Sequence, residues 1–128
     1  MNTPVLLRIS ALLLASAVAL GAFGAHALEE VLTAERMKTW ETAVFYHTWN
    51  TLGVMLIAIV QQQFNKVFKT ATTLLLFGVL IFSGSLYTLC LSGIGIFGAI
   101  TPIGGVLLIS GWIVFGVQVV SSKQSSTN

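Results

Sequence analysis

Polar side chains interrupt the apolar runs of this chain at positions where they could do chemistry. Histidine can transfer protons or bind a metal, serine can act as a nucleophile beside a histidine base, and other polar groups can bind or orient a substrate. A polar group in apolar surroundings is costly unless it is paired, so each needs a reason. We call these residues the polar cluster: His26, Tyr46, His47, Asn50, Ser83, Ser85, Tyr87 and Thr101.

Several catalytic or ligand-binding interpretations of the polar cluster are open. His26 and His47 could be axial ligands of a haem, or with a loop glutamate they could bind zinc, which needs three or four ligands. Ser83 or Ser85 with His47 would suit a hydrolase, but no acid is placed to orient the histidine. A proton relay through His47 lacks a carboxylate inside the apolar runs. We therefore predict no catalytic residues, no metal site and no cofactor.

A structural interpretation accounts for the same residues more simply. His47 and Asn50 are three residues apart and share a helix face, where each can hydrogen-bond to another helix. Such bonds contribute about 0.6 kcal/mol each in membrane proteins. Small residues let helices approach closely, and we predict this role for five glycines: Gly21, Gly24, Gly84, Gly104 and Gly105.

The composition identifies the environment that these residues occupy. Hydrophobic residues make up 55% of the chain and charged residues 8%, whereas soluble domains carry about 25% charged residues. A soluble core of this size could not hide so much apolar surface, so lipid must solvate part of it. The six basic residues are scattered, which argues against a nucleic-acid partner. A single cysteine, Cys90, allows no internal disulfide.

Four apolar runs are each about as long as the roughly 20 residues that a membrane-crossing helix needs. Every backbone polar group must be paired in lipid, so the runs should be helices. We predict an all-α membrane protein of one domain, a four-transmembrane-helix bundle with a polar tail at residues 121–128. The predicted spans are residues 5–25, 43–60, 71–91 and 102–120.

The first run has an alternative interpretation as a signal peptide. Arg8 would precede the apolar region, and Ala25-His26-Ala27 would form the cleavage site. The apolar stretch continues through Phe23, so it is longer than the apolar region of a usual signal peptide. We therefore expect an uncleaved first helix.

Basic residues predict the orientation of the four spans. The side with more of them is expected in the cytoplasm, which places both termini there. The polar cluster then lies in the outer half of the membrane, and the cytoplasmic half has little comparable polarity. The basic residues on the two sides are Arg8, Lys66, Lys69 and Lys123 against Arg36 and Lys38.

The two outer connections have different compositions. The first, residues 28–42, holds all four glutamates and shows helical spacing of apolar residues, which predicts a short interfacial amphipathic helix. Trp40 there suits the membrane–water boundary. The second, residues 92–99, is uncharged and predicts a tight hairpin. Thr101 would cap the fourth helix, with Pro102 in its first turn.

Five motifs occur in order along the chain: residues 19–26 (ALGAFGAH), 41–47 (ETAVFYH), 82–87 (FSGSLY), 101–105 (TPIGG) and 111–112 (GW). Together they resemble the YgdD-like small inner-membrane proteins, a family of unknown function. The resemblance implies an uncleaved first helix, four spans and a bacterial inner-membrane location. Members of that family commonly carry histidine at the position matching Asn50 and often glutamine at the position matching His47. The departure in this chain favours a hydrogen-bonding role over a ligand role.

These observations together favour a non-enzymatic structural or accessory protein of the inner membrane. Its expected partners are the lipid bilayer and either a second copy or another membrane protein. The alternative is a carrier for a small solute or lipid, with the polar cluster lining an outward-facing pocket between the helices.

Overall fold

Four long helices make up the part of the protein that the structure describes. A computed structural model describes residues 1–125, and within them each helix is long and apolar enough to cross a membrane. The fold is therefore the predicted all-α, four-helix membrane fold. Residues 126–128 of the predicted polar tail lie outside the described residues. The helices are α1 (Thr3–Leu28), α2 (Ala34–Phe64), α3 (Lys69–Ser92) and α4 (Ile96–Ser125).

Local sequence explains where these helices begin and end. The Asn2 side chain accepts a hydrogen bond from the Val5 amide at the start of α1, and Thr33 accepts one from Arg36 at the start of α2. Gly93 follows α3 with a φ of 70°, a left-handed conformation that glycine adopts without steric cost. The three connections are therefore short, and consecutive helices run antiparallel.

The first connection differs from the prediction. Residues 34–42 form the first turns of α2 rather than a separate interfacial helix, and only residues 29–33 connect α1 to α2. Once Thr33 has capped the helix, nothing in the following sequence breaks it before the apolar run begins.

The start of α4 also differs. The helix begins at Ile96, so Thr101 is not its cap and Pro102 lies inside it. A proline is tolerated in a membrane helix where Ser or Thr side chains and neighbouring helices compensate for the missing amide. Pro102 removes the amide that would donate to the Gly98 carbonyl, and the Thr101 hydroxyl adds a bond of 3.2 Å to the adjacent Phe97 carbonyl in the same turn. The predicted hairpin at residues 92–99 thus shortens to residues 93–95.

Helices adjacent in the chain are also adjacent in space. The extensive interfaces are α1–α2, α2–α3 and α3–α4. The main hydrophobic core lies in the half of the molecule that holds the termini, which we call the termini half, and a smaller one lies in the loop half. The main core consists of Leu6, Val54, Ile57, Ala58, Phe68, Ala71, Leu75, Val79 and Leu108, and the smaller one of Ala43, Leu86 and Leu89.

The α3–α4 interface matches large residues on one helix with small residues on the other. Gly78 packs against Leu108 and Gly111 against Leu75. A Cβ placed on Gly104 would lie 2.6 Å from the Phe82 Cα, so the two backbones come very close there. Contacts recur every three or four residues along both helices, as expected for antiparallel helices in a lipid environment where packing rather than hydrophobicity drives association.

The five predicted packing glycines do not all behave alike. Gly104 meets the Phe82 backbone, Gly24 lies against the Trp40 ring, and Gly21 approaches Val44. Gly105 makes only ordinary contact with the Phe82 ring. A Cβ on Gly84 would meet nothing within 4 Å, so this glycine serves no close helix approach.

We expect Gly104→Ala to destabilise the protein by about 1–3 kcal/mol, because the added methyl overlaps the Phe82 backbone and overpacks the interface. Equilibrium unfolding in mixed micelles with increasing SDS measures the change. The matched control, Gly84→Ala, should instead raise the free energy of unfolding by about 0.5–1 kcal/mol, because alanine is the better helix former and the space around it is open. Equal stability of the two variants would contradict this account of the α3–α4 interface.

Candidate functional site

His47 lies at the centre of the polar cluster and links three helices. Its side chain belongs to α2 and is buried, with 5% of its surface exposed. The ring Nδ1 lies 3.1 Å from the Tyr87 hydroxyl of α3, and Nε2 lies 3.4 Å from the Ser16 hydroxyl of α1. Both ring nitrogens therefore have partners on other helices.

The neighbouring donors determine which nitrogen of a neutral His47 carries the hydrogen. The Ser16 hydroxyl donates to the Leu13 carbonyl at 2.7 Å, so its oxygen can only accept from His47. Nε2 then carries the hydrogen and donates it, while Nδ1 accepts from the Tyr87 hydroxyl. This chain of donors runs from α3 through α2 to α1 and leaves neither ring nitrogen free for a ligand.

Trp40 supports the Tyr87 side of this network. The two rings pack with their centroids 4.8 Å apart, and the indole N–H donates to the Leu20 carbonyl at 2.9 Å. Trp40 is 3% exposed, so it is an internal residue rather than a member of an aromatic belt facing headgroups. It fits only because Gly24 has no side chain: a Cβ there would lie 2.7 Å from the indole.

Two serines of α3 make further hydrogen bonds between helices. Ser83 is 1% exposed and donates to the Ala43 carbonyl of α2 at 2.8 Å. Ser85 lies 2.6 Å from the Thr101 hydroxyl of α4. The first bond closes α3 onto α2 and the second closes α3 onto α4, where the facing residues are both small.

Asn50 connects α2 to α4. Its amide nitrogen donates to the Tyr46 carbonyl, and its oxygen accepts from the Trp112 indole, both at 2.9 Å. The Trp112 ring lies over Gly53, where any side chain would overlap it. Although His47 and Asn50 share the buried side of α2, they bond to different helices.

Two members of the predicted cluster lie outside this network. His26 is exposed at the end of α1, and its side chain takes part in none of the hydrogen bonds formed by the described residues. Tyr46 is 40% exposed and packs its ring on Phe82 rather than donating its hydroxyl. The structure thus brings together His47, Tyr87, Ser83, Ser85, Thr101 and Asn50 through α2 and α3, and leaves His26 apart.

The termini half holds more polarity than the sequence predicted. Gln61 is 3% exposed; its side-chain oxygen accepts from the Phe68 amide at 2.9 Å, and its nitrogen lies 3.5 Å from the Thr3 hydroxyl. The Lys66 ammonium donates to the Gln118 carbonyl at 3.2 Å. The first of these bonds satisfies the Phe68 amide at the start of α3, which the helix would otherwise leave unpaired. The Lys66 bond joins the α2–α3 connection to α4.

The sequence indicated most members of the polar cluster but not the residues to which they bond. Ser16 could have been found, because it precedes the α1–α2 connection by about as many residues as His47 follows it. Trp40 and Trp112 gave no such signal. The position of each ring depends on which glycine of a neighbouring helix faces it, and that pairing is a property of the packed helices.

The geometry of the cluster suits helix association better than catalysis. The Ser83 hydroxyl is committed to a backbone carbonyl, and both His47 nitrogens are engaged. No group of three His, Cys, Asp or Glu side chains within residues 1–125 is placed to bind one metal ion. What the arrangement does provide is a set of directional bonds that hold four helices in one register.

We expect His47→Ala to lower the free energy of unfolding by about 1–3 kcal/mol, because it removes two interhelical hydrogen bonds and leaves a small cavity. SDS-driven unfolding in mixed micelles measures the loss. The control is His26→Ala, at an exposed histidine without a partner, which should change the stability by less than about 0.5 kcal/mol. An unchanged midpoint for His47→Ala would mean that the network contributes nothing to stability.

Comparison with known proteins places the chain in a family. Residues 20–105 match the family model described as "Protein of unknown function (DUF423)". A UPF0382 membrane protein of Staphylococcus epidermidis is 48% identical over 98 residues, which cover 77% of this chain and 80% of the relative. No solved structure matches.

Two further relatives extend the similarity across most of the chain. The UPF0382 membrane protein YwdK of Bacillus subtilis is 42% identical over 106 residues, covering 81% of this chain and 86% of the relative. The UPF0382 inner membrane protein YgdD of Escherichia coli is 35% identical over 112 residues, covering 87% and 86%. With its four apolar helices, the chain therefore belongs to the DUF423 (UPF0382) family of membrane proteins of unknown function.

Proposed function

We propose that the protein is a non-catalytic structural or accessory component of the membrane. The observation that carries this proposal is that the buried side chains of His47, Ser83 and Asn50 each form a hydrogen bond to a neighbouring helix. Substrate would have to displace these bonds to reach them. A rigid bundle with a largely apolar outer surface is suited to associating with other membrane components, either a second copy or a different protein.

The alternative, a carrier with a polar pocket between the helices, has less support. Such a pocket would have to be lined by the polar cluster and to reach Ser83 near mid-membrane. Ser83 is 1% exposed and His47 5% exposed, so neither lines an open space. The two grooves beside α2 and α4 are lined mainly by apolar side chains, and the members of the polar cluster that reach them are Asn50 and Tyr46.

The proposal includes a location and an orientation. A relative is named an inner membrane protein, and this chain is proposed to occupy the same membrane with both termini in the cytoplasm. The supporting observation is the charge distribution. Four basic residues (Arg8, Lys66, Lys69 and Lys123) belong to the termini side, against two (Arg36 and Lys38) on the side of the α1–α2 connection.

His47→Gln separates a structural role from a catalytic one. Glutamine can still donate and accept hydrogen bonds, but it cannot act as a proton-transferring base. In a growth condition where deletion of the gene is found to impair growth, we expect His47→Gln to restore growth as well as wild type does, at equal protein level. The matched variant His47→Ala should restore growth only in proportion to the folded protein that remains. Complete loss of function in a stable His47→Gln protein would contradict the proposal.

Reporter fusions test the orientation. Green fluorescent protein fused after residue 128 should fluoresce, because it folds in the cytoplasm and the C-terminus to which it is fused is predicted to lie there. Alkaline phosphatase fused after residue 32, between α1 and α2, should be active, since that enzyme needs an oxidising compartment to form its disulfides. The opposite pair of results would invert the proposed topology.

A further inference from the structure

A groove runs along the outside of α2, and of its lining side chains Asn50 and Trp112 are the pair that also bond between helices. Its upper part, near the α1–α2 connection, is lined by Lys38, Glu41, Thr42, Phe45 and Tyr46 and has a volume of about 450 Å³. Below it, two hollows of about 440 and 510 Å³ share Asn50 and Trp112 as walls. We call these three spaces together the α2 groove.

The α2 groove follows one face of the helix. Its most exposed residues recur every three or four positions, which places them along a single stripe. Phe45, Trp49 and Leu56 on this stripe are 56%, 60% and 62% exposed. The stripe becomes steadily less polar from the loop end toward the middle of the membrane, as a phospholipid does from its headgroup to its chains.

The upper part of the groove carries two opposite charges that do not pair with each other. Lys38 and Glu41 are three residues apart, yet neither side chain forms an ion pair with a described residue. A ligand that bears both a phosphate and an ammonium group can satisfy both at once. Primary ammonium is the better match for Glu41 because, unlike a quaternary one, it donates charge-assisted hydrogen bonds to a carboxylate.

The surrounding charge argues against an anionic headgroup. The α1–α2 connection and the first turns of α2 carry four glutamates against two basic residues, so this end of the protein has a net negative charge. A headgroup with net negative charge would be repelled, whereas one with no net charge would not. The full set is Glu29, Glu30, Glu35 and Glu41 against Arg36 and Lys38.

The lower part of the groove suits flexible chains better than a helix. Trp112 stands between the two hollows as a ridge, fixed by its bond to Asn50 and its seat on Gly53. Helices associate in membranes through small residues that allow close approach, but the rim here is formed by large side chains such as Trp49 and Leu56. Two acyl chains can pass on either side of the ridge, one in each hollow.

We propose that the α2 groove binds a diacyl phospholipid of the phosphatidylethanolamine class, taken from the leaflet on the side of the α1–α2 connection. Its phosphate lies at Lys38, its ammonium lies at Glu41, and its chains flank Trp112. The site is independent of the proposed accessory role, which needs no particular lipid. If the wild-type protein shows no selectivity among lipids, this inference is refuted and the proposed accessory role is not.

Native mass spectrometry of the full-length protein tests the proposal. The protein is held in detergent with equal amounts of phosphatidylethanolamine, phosphatidylcholine and phosphatidylglycerol that have identical acyl chains. We expect the ethanolamine lipid to be retained about threefold over each of the others, as two partly exposed charge contacts would give. The double variant Lys38→Gln/Glu41→Gln should bind all three equally. The control Lys69→Gln/Glu29→Gln, outside the groove, should keep the preference.

A second pair of variants tests the chain-binding part. Leu56→Trp fills the hollow of about 510 Å³ and should lower the retention of all three lipids, whereas Leu12→Trp on the exposed face of α1 should not. Preference for the glycerol or choline lipid, or a preference unchanged in the Lys38/Glu41 double variant, would overturn the headgroup assignment. A dimer that is lost in Leu56→Trp, without any change in lipid retention, would make the groove a contact between copies of the chain.

Discussion

The hydrogen bonds of His47 are the interaction on which the loop half of the protein depends. Lipid offers no partner to a polar group, so a buried imidazole must find both of its partners within the protein. It finds them on Ser16 and Tyr87, which lie on the two helices that flank α2. Because such bonds are directional, they select one rotation and one depth for each helix, a choice that apolar packing in lipid makes only weakly.

Close packing and hydrogen bonding are coupled in this structure. Trp40 can support Tyr87 only because Gly24 leaves room for the indole, and Ser85 reaches Thr101 because Gly104 lets α4 approach α3. Small residues thus bring the helices near enough for polar side chains to meet, and the polar contacts keep them in register. Two buried hydroxyls of the described residues, Ser10 and Thr51, make no hydrogen bond, so the network is not complete.

The two faces of α2 have different roles in the structure. The buried face carries the residues that hold the bundle together, including His47 and Asn50. The exposed face forms the α2 groove, which changes from charged to apolar along the helix. Trp112 belongs to both, since its indole N–H is bonded to the internal network while its ring divides the groove. Such a surface is suited to recognising lipid or another protein.

The amino-acid sequence by itself determined the membrane environment, the number of helices and their antiparallel order. These follow from the length of the apolar runs and from the need to pair every backbone group in lipid. It also identified most of the buried polar residues, because each is out of place in an apolar run. It did not determine where a long helix starts. Thr33 caps α2 well before the predicted apolar run, and α4 begins at Ile96 and continues past Pro102.

Only the tertiary structure decided which of these residues meet. His26 and His47 looked equivalent as isolated polar residues at similar depth, but one is exposed and the other is enclosed by three helices. For the same reason Trp40 became an internal residue, Trp112 came to lie over Gly53 while remaining 39% exposed, and Gly84 ceased to be a packing residue. The rotation of each helix about its axis is set by contacts with its neighbours, and in an almost uniformly apolar helix the sequence periodicity that would reveal that rotation is too weak to read.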